Sequence, residues 1–471
     1  MKRDSLKYAG EYEVKEIMIH TSSGSTIDVS NSAVGIDIYE SMFTTTLSGT
    51  ITIVDVDDLA TNGPIIGQEY LSLKLTTPGL DKDEIDFTNS TFCIYKVMSR
   101  EAGSQNAQLL TLAFTTPELL KNNRTRVSKS YTDSIDNIVK NVLTDQNYID
   151  TNKDVFIEET SGIRKIVVPN VNPYNLITNL ATEALSKQYG SPHFLFFENT
   201  KGIHFKSIEN ILSDDVIGEF HVSEIGPLVG QGASKDTATQ GKVIDIEEQF
   251  RRVLEFQINS NNDMLMNITG GMLGSKDIEY NIYNKSYKTR EYKYFDDFDK
   301  YPRLNGSTVY NNNEIDVKGN TVGDFSNARI HLHSISSQDE LDTQHTNDES
   351  EYKYAPNKIN EAVLQRQAKF MELNSGISVS LKLTGNTTIA AGQMMRLLVP
   401  TTGRVHEGNE FDPYYSGDYI ITKLRHSFSQ TDKTHNIYLQ ASQDSLPKDL
   451  PTNADAKEPL GRRGVISTLT Y

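Results

Sequence analysis

Tryptophan is absent from this 471-residue chain, and cysteine occurs once, as Cys93. A lone cysteine excludes an intrachain disulfide. Cys93 lies in an alternating apolar run, which reads as a buried, inert thiol rather than a reactive one. Long hydrophobic runs are missing too: the most apolar short stretch, Phe194–Phe197, falls far below the ~18 residues that span a bilayer. The opening stretch MKRDSLKYAGEYEV starts basic but has no apolar segment of the signal-peptide kind. Together these lacks set the expectation of synthesis in a reducing cytoplasm with no membrane anchor. Positive charge is also short, with 46 Lys and Arg against 63 Asp and Glu and a formal net charge of −17. A grip on a phosphate backbone needs a surplus of cations, so specific nucleic-acid binding is not expected.

The motifs of common chemistries are missing as well. A phosphate-cradling loop would need glycine at position 236 and Ser or Thr after Gly241-Lys242; the chain has Asp236 and Val243. The nucleophile elbow G-x-S-x-G does not occur. His406-Glu407 opens like a zinc-protease helix, but Gly408, Asn409 and Glu410 follow in place of the second histidine. His331 and His333 share one strand face with no third ligand nearby, and read as side chains packed on a half-buried sheet. Asp296-Asp297-Phe298-Asp299 resembles part of a calcium loop but lacks its glycine and closing glutamate, and reads as a solvated acidic turn. Asp55, Asp57 and Asp58 read as the wet end of a strand. A glycosidase pair is a property of space, and the lack of tryptophan disfavours a sugar-stacking groove. No catalytic, cofactor-binding or metal-ligating residue is assigned, and the chain reads as non-enzymatic.

What is present is a repeat. Ser48–Val54, Gly67, Tyr70–Leu75, Thr76-Thr77-Pro78, Phe92–Arg100 and Gln108–Phe114 form one block. Ile377–Leu383, Gly392, Met394–Val399, Pro400-Thr401-Thr402, Tyr419–Ser427 and His435–Ala441 form a second. The two hold a nearly constant offset of about 325 residues, the mark of a duplicated fold. Alternating and β-branched runs such as Tyr12–Ile19, Ile36–Tyr39 and Thr50–Val54, split by Ser/Gly/Asn clusters, predict short antiparallel strands.

The expected fold class is α+β, mainly β: two similar antiparallel β-barrels of tube type, a small α/β domain and a long insertion. Residues 1–120 would form the first barrel. Residues 121–215 would be the α/β domain. Its first helix carries the stripe Ile135, Ile138, Val139, Val142, Leu143, with Ser130 and Asp133 at capping-box spacing. Its second opens on Asn172-Pro173, and a hairpin follows over His193–Ile208. Residues 216–258 would be a linker and the second barrel's first strand, because Val243–Phe250 resembles Val34–Phe43. Residues 259–356 would be the insertion. Residues 357–446 would be a helix, from Asn357 to Leu373, and the rest of the second barrel. Residues 447–471 would be an arm, whose tip Val465–Tyr471 reads either as a strand that adds to a partner's sheet through Val465, Ile466, Leu469 and Tyr471, or as a frayed tail.

These segments resemble the central hub of contractile, T4-like phage baseplates, a fold shared with the base of the type VI secretion spike. The resemblance is carried by Tyr39-Glu40-Ser41, Leu47–Ile53 and Gly63–Glu69; by Leu176–Leu185 with Phe194–Glu198 and Gly202–Phe205; and by Glu361–Phe370, Val379–Leu383, Gly392 and Gly417–Ile420. It covers about residues 8–446. It implies a homotrimer in which two similar barrels per chain make a ring of six, joining a sixfold tail tube to a threefold spike. The implied partners are the spike, the first tube ring, and the tape-measure and wedge proteins. DNA would pass through the bore without specific binding, and no cofactor is implied. A wall-degrading enzyme associated with the hub and a receptor- or glycan-binding tail module are the alternative readings.

Overall fold

The computed structural model describes residues 8–22, 24–56, 65–78, 84–104, 107–222, 246–260, 262–281, 285–314, 318–324, 326–335, 359–401 and 411–450. The chain is mainly β, with few helices.

Alternation builds the first set of strands: β1 (Glu13–His20), β2 (Ala33–Ser41), β3 (Ser48–Asp55), β4 (Tyr70–Thr76), β5 (Phe92–Ser104) and β6 (Ala107–Thr115). In β3 every second residue, Gly49, Ile51, Ile53 and Asp55, is buried, as the alternation of a strand requires. Asp55 is thus on the inner face and not at the wet end expected for it, while Asp57 and Asp58 lie outside the described residues. The strands pair in the order β1-β4-β5-β6-β3-β2, each antiparallel to its neighbour. Ile17, Ile38, Ile51, Leu73, Phe92 and Phe114 fill their inner side.

Two amphipathic helices follow, α1 (Ile135–Thr144) and α2 (Pro173–Glu183), then the hairpin β7 (Phe194–Asn199) and β8 (Gly202–Ser207). The stripe of α1 is buried at all five expected positions, and Pro173 starts α2. The expected capping box does not form. Ser130–Ser134 is held extended by antiparallel pairing with Ile163–Val167, so Ser134 becomes the N-cap, with no side-chain cap.

A second set comprises β9 (Glu219–Val222), β10 (Arg252–Ser260), β14 (Ile377–Thr384), β15 (Met394–Leu398), β16 (Gly417–Ser429) and β17 (Thr434–Gln443). These six strands close into a barrel in the order β16-β15-β9-β10-β14-β17, with β17 returning to β16. Phe220, Val379, Leu397, Tyr419, Ile437 and Leu439 lie in its core. The strand expected at Val243–Phe250 is displaced. Ile246–Phe250 is helical and the strand starts at Arg252, because Glu247, Glu248 and Gln249 favour a helical turn and pairing to β14 begins only at Val253. Residues 243–245 lie outside the described residues.

Between β10 and β14 the chain forms a separate sheet of β11 (Gly274–Asn281), β12 (Ser286–Lys293) and β13 (Ile330–Ile335), ordered β12-β11-β13. It packs on helix α3 (Ile359–Ser375), where the His331 ring meets Gln367 at 2.7 Å. Asp296 and Asp297 stand in a short helix, Tyr294–Asp297, rather than in an open turn.

The two sets share one sheet. Strand β2 pairs antiparallel with β16, and Phe428 of β16 is buried in the first core. A further cluster joins the two strand sets to the hairpin and α3: Met42 after β2, Leu195 and Phe197 of β7, Ile208, Leu373 of α3 and Ile420 of β16.

Candidate functional site: a polar belt across the shared sheet

Pairing β2 to β16 makes one continuous outward face over β2, β16, β17, β14 and β10. Because side chains alternate, Ile38, Leu424, Leu439 and Leu381 turn inward while polar residues turn out. Asp37 lies on β2, one step diagonal from Arg425 on β16, whose direct opposite is Tyr39. The Arg425 guanidinium donates to both Asp37 oxygens, at 3.0 and 2.9 Å. It also stacks over Tyr39 at 5.7 Å and over Tyr438 of β17 at 5.5 Å. On the other side of Tyr438, Lys382 of β14 lies 5.5 Å from the same ring. Lys382 donates to Glu255 of β10, its direct cross-strand neighbour, at 2.8 Å, and that bond holds the lysine above its ordinary range. Asp37, Arg425, Tyr438, Lys382 and Glu255 thus form a belt perpendicular to the strands. Its members from Arg425 to Glu255 line a cleft of about 580 Å³ with Ser41, Gln257, Ser380, Lys423 and Gln440.

Elsewhere, buried polar networks pin the joints between elements. Lys153 bonds Glu118 at 2.8 Å and Glu198 at 2.5 Å. Glu198 also accepts from Leu47 N at 3.2 Å and Thr116 Oγ1 at 3.0 Å. Burial alone would lower the Lys153 pKa; the carboxylates reverse that and leave it raised. On the inner side of β2, Glu40 accepts from Ala391 N at 2.7 Å and Thr200 N at 2.9 Å, and burial raises its pKa. Beside it, His426 and His435 share a 3.0 Å contact. At α3, Lys369 pairs with Asp444 and Arg303 with Glu372.

One constellation escaped the sequence reading. Ser191 Oγ and His193 Nδ1 each lie 2.6 Å from the Glu209 carboxylate, all three buried. Hydroxyl and imidazole share one acceptor instead of facing each other, so the geometry gives no relay from Ser191 to His193. Spacing could not reveal it, since Ser-x-His with a distant glutamate is commonplace. Among the described residues no group of three or more His, Cys, Asp or Glu is placed to hold a metal, and no helix is long and apolar enough to cross a membrane. Cys93 is buried, and burial pushes its thiol pKa up. Val465, Ile466, Leu469 and Tyr471 lie outside the described residues, as does the segment at His406.

No protein-family model matches the chain, and no curated protein matches it. Solved structures do. The tail protein from Neisseria meningitidis MC58 is 10% identical, with 92% of this chain and 97% of that chain covered and a TM-score of 0.50. The 43 kDa tail protein of prophage MuSo2 from Shewanella oneidensis is 9% identical, with 92% and 99% covered and a TM-score of 0.49. A component of the E. coli type VI secretion system is 9% identical, with 92% and 76% covered and a TM-score of 0.41. At such identity the likeness is one of fold.

Proposed function

We propose that this chain is a structural hub of a contractile phage tail baseplate. The observation that carries the proposal is the strand order. Around the first set the pairing runs β2-β3-β6-β5-β4-β1; around the second it runs β10-β14-β17-β16-β15-β9. The equivalent strands occur in the same chain order. The first four pairings are antiparallel in both sets. The last is antiparallel for β4–β1 and parallel for β15–β9. The first set is open between β1 and β2, and β2 takes β16 as its neighbour instead.

Two similar barrel-type units joined edge to edge supply what a symmetry adaptor needs: three chains closing round an axis offer six near-equivalent lobes to a sixfold tube while remaining threefold toward a spike. In this reading the chain divides as the sequence suggests, with the barrel units in 1–120 and in 216–258 plus 357–446, and with 121–215 and 259–356 as outer parts. The central spike, the first tube ring, the tape-measure protein and the wedge are its partners. The polar belt faces the bore through which the genome passes, in a virion assembled in the host cytoplasm. The 447–471 arm docks on a partner through Val465, Ile466, Leu469 and Tyr471. The role is mechanical and not enzymatic, so purified cell walls incubated with the protein release no fragments.

Native mass spectrometry of the purified chain, alone and mixed with its tail-tube protein, tests the proposal. A three-chain species is expected. A monomer that stays monomeric in both conditions overturns it.

A further inference from the structure

The belt contains the parts of a single-strand nucleic-acid groove: cations, exposed tyrosines and a cleft. Proteins that hold such strands combine a positive track with aromatic faces on which bases stack. Here each part is already engaged. Arginine holds phosphate through a planar fork, and one edge of the Arg425 fork, Nε and Nη2, is taken by both oxygens of Asp37. Lys382 is held by Glu255 across the adjacent strand pair. Arg425 and Lys382 both stand against the ring of Tyr438, and Arg425 against that of Tyr39. Lys423 makes no ion pair among the described residues, so one unclamped cation remains on this stretch.

We infer that Asp37 and Glu255 act as built-in competitors for phosphate, which turn a potential nucleic-acid groove into a surface along which nucleic acid slides. The inference rests on the proposed hub role and deepens it, because it names the residues that make the wall non-adhesive. A phosphate arriving at Arg425 or Lys382 meets a cation whose charge is already offset by a carboxylate fixed on the neighbouring strand. The polymer therefore gains few released counterions, and those released ions supply most of non-specific affinity. Local pairing sets this property, and the overall charge of −17 does not.

The test is the full-length Asp37→Asn, Glu255→Gln double variant, compared with the unmodified chain by fluorescence anisotropy of labelled single-stranded and duplex DNA oligonucleotides over a salt series. The unmodified chain is expected to bind neither. The double variant is expected to bind at low salt at least about tenfold more tightly, with a salt slope steeper by about 0.7 to 0.9 per cation freed. Adding Lys382→Gln and Arg425→Gln should abolish the gain. Glu255 is 69% exposed, so Glu255→Gln alone keeps the test open if the double variant unfolds; it should show a smaller gain in the same direction. The inference is overturned if the unmodified chain already binds as tightly, if neither variant gains affinity, or if the gain survives loss of both cations. Oligomeric mass measured on the same samples separates the two claims. A ring without a DNA gain removes the competitor role alone. A DNA gain on a persistent monomer keeps that role and removes the hub.

Discussion

Gly67 and Gly392 occupy matching places in the repeat, each just before a strand, and their φ angles are +91° and +87°. Glycine takes that conformation freely and other residues do not. At Gly392 an added Cβ would also lie 2.8 Å from Phe197. Gly392→Ala should therefore cost about 1–3 kcal/mol, read as a lower urea midpoint; an unchanged midpoint would contradict this account of the turn. The buried histidines make a second prediction. Burial lowers His204 and His426 from 6.5 to about 3, and lowers His193 and His435 as well. The unfolded chain takes up these protons near pH 6.5 while the folded chain refuses them, so stability falls as pH drops from about 6.5 toward 3. His204 stacks between Phe156 and Phe197, 4.8 Å from each. His204→Phe should flatten the acid limb by about 1.4 kcal/mol per pH unit, one proton's worth; an unaltered limb in urea titrations would contradict it. The paired glycines were legible in sequence because their spacing repeats. The histidine environments were not, because burial depends on partners from distant segments.

The elements were legible where a period is local. The α1 stripe, the proline start of α2, the β7–β8 hairpin and the strands of both repeat blocks could be read from order alone. Pairing partners could not. Arg425 meets Asp37 across 388 positions, and the β2–β16 seam leaves no mark within either strand. The strand misplaced at Val243–Phe250 shows the same limit: its apolar pattern resembles β2, but tertiary pairing selects Arg252–Ser260. The joints between elements are equally non-local. Lys153 sits between Glu118 and Glu198, all nearly inaccessible, and with 63 acids in the chain no spacing singles out these two. Lys153→Met would strand both carboxylates without a counter-charge and should cost about 3–5 kcal/mol, the penalty of breaking a buried pair from one side. A loss below about 1 kcal/mol in equilibrium unfolding would mean that the joint is wet and not structural.

The whole molecule joins two strand sets of like pairing order at a single seam. One closed six-strand barrel and an open set with the same pairing order share a sheet through β2 and β16, and a common apolar cluster holds the hairpin and α3 against that seam. The measurement that tests the hub reading most directly is a cryo-electron microscopy reconstruction of the assembled protein without imposed symmetry. The account predicts three chains in a ring, six β lobes seen end-on, and the Asp37–Arg425–Tyr438–Lys382–Glu255 belt facing the bore. A closed assembly with any other number of chains, or a ring with that belt on its outer rim, would contradict it.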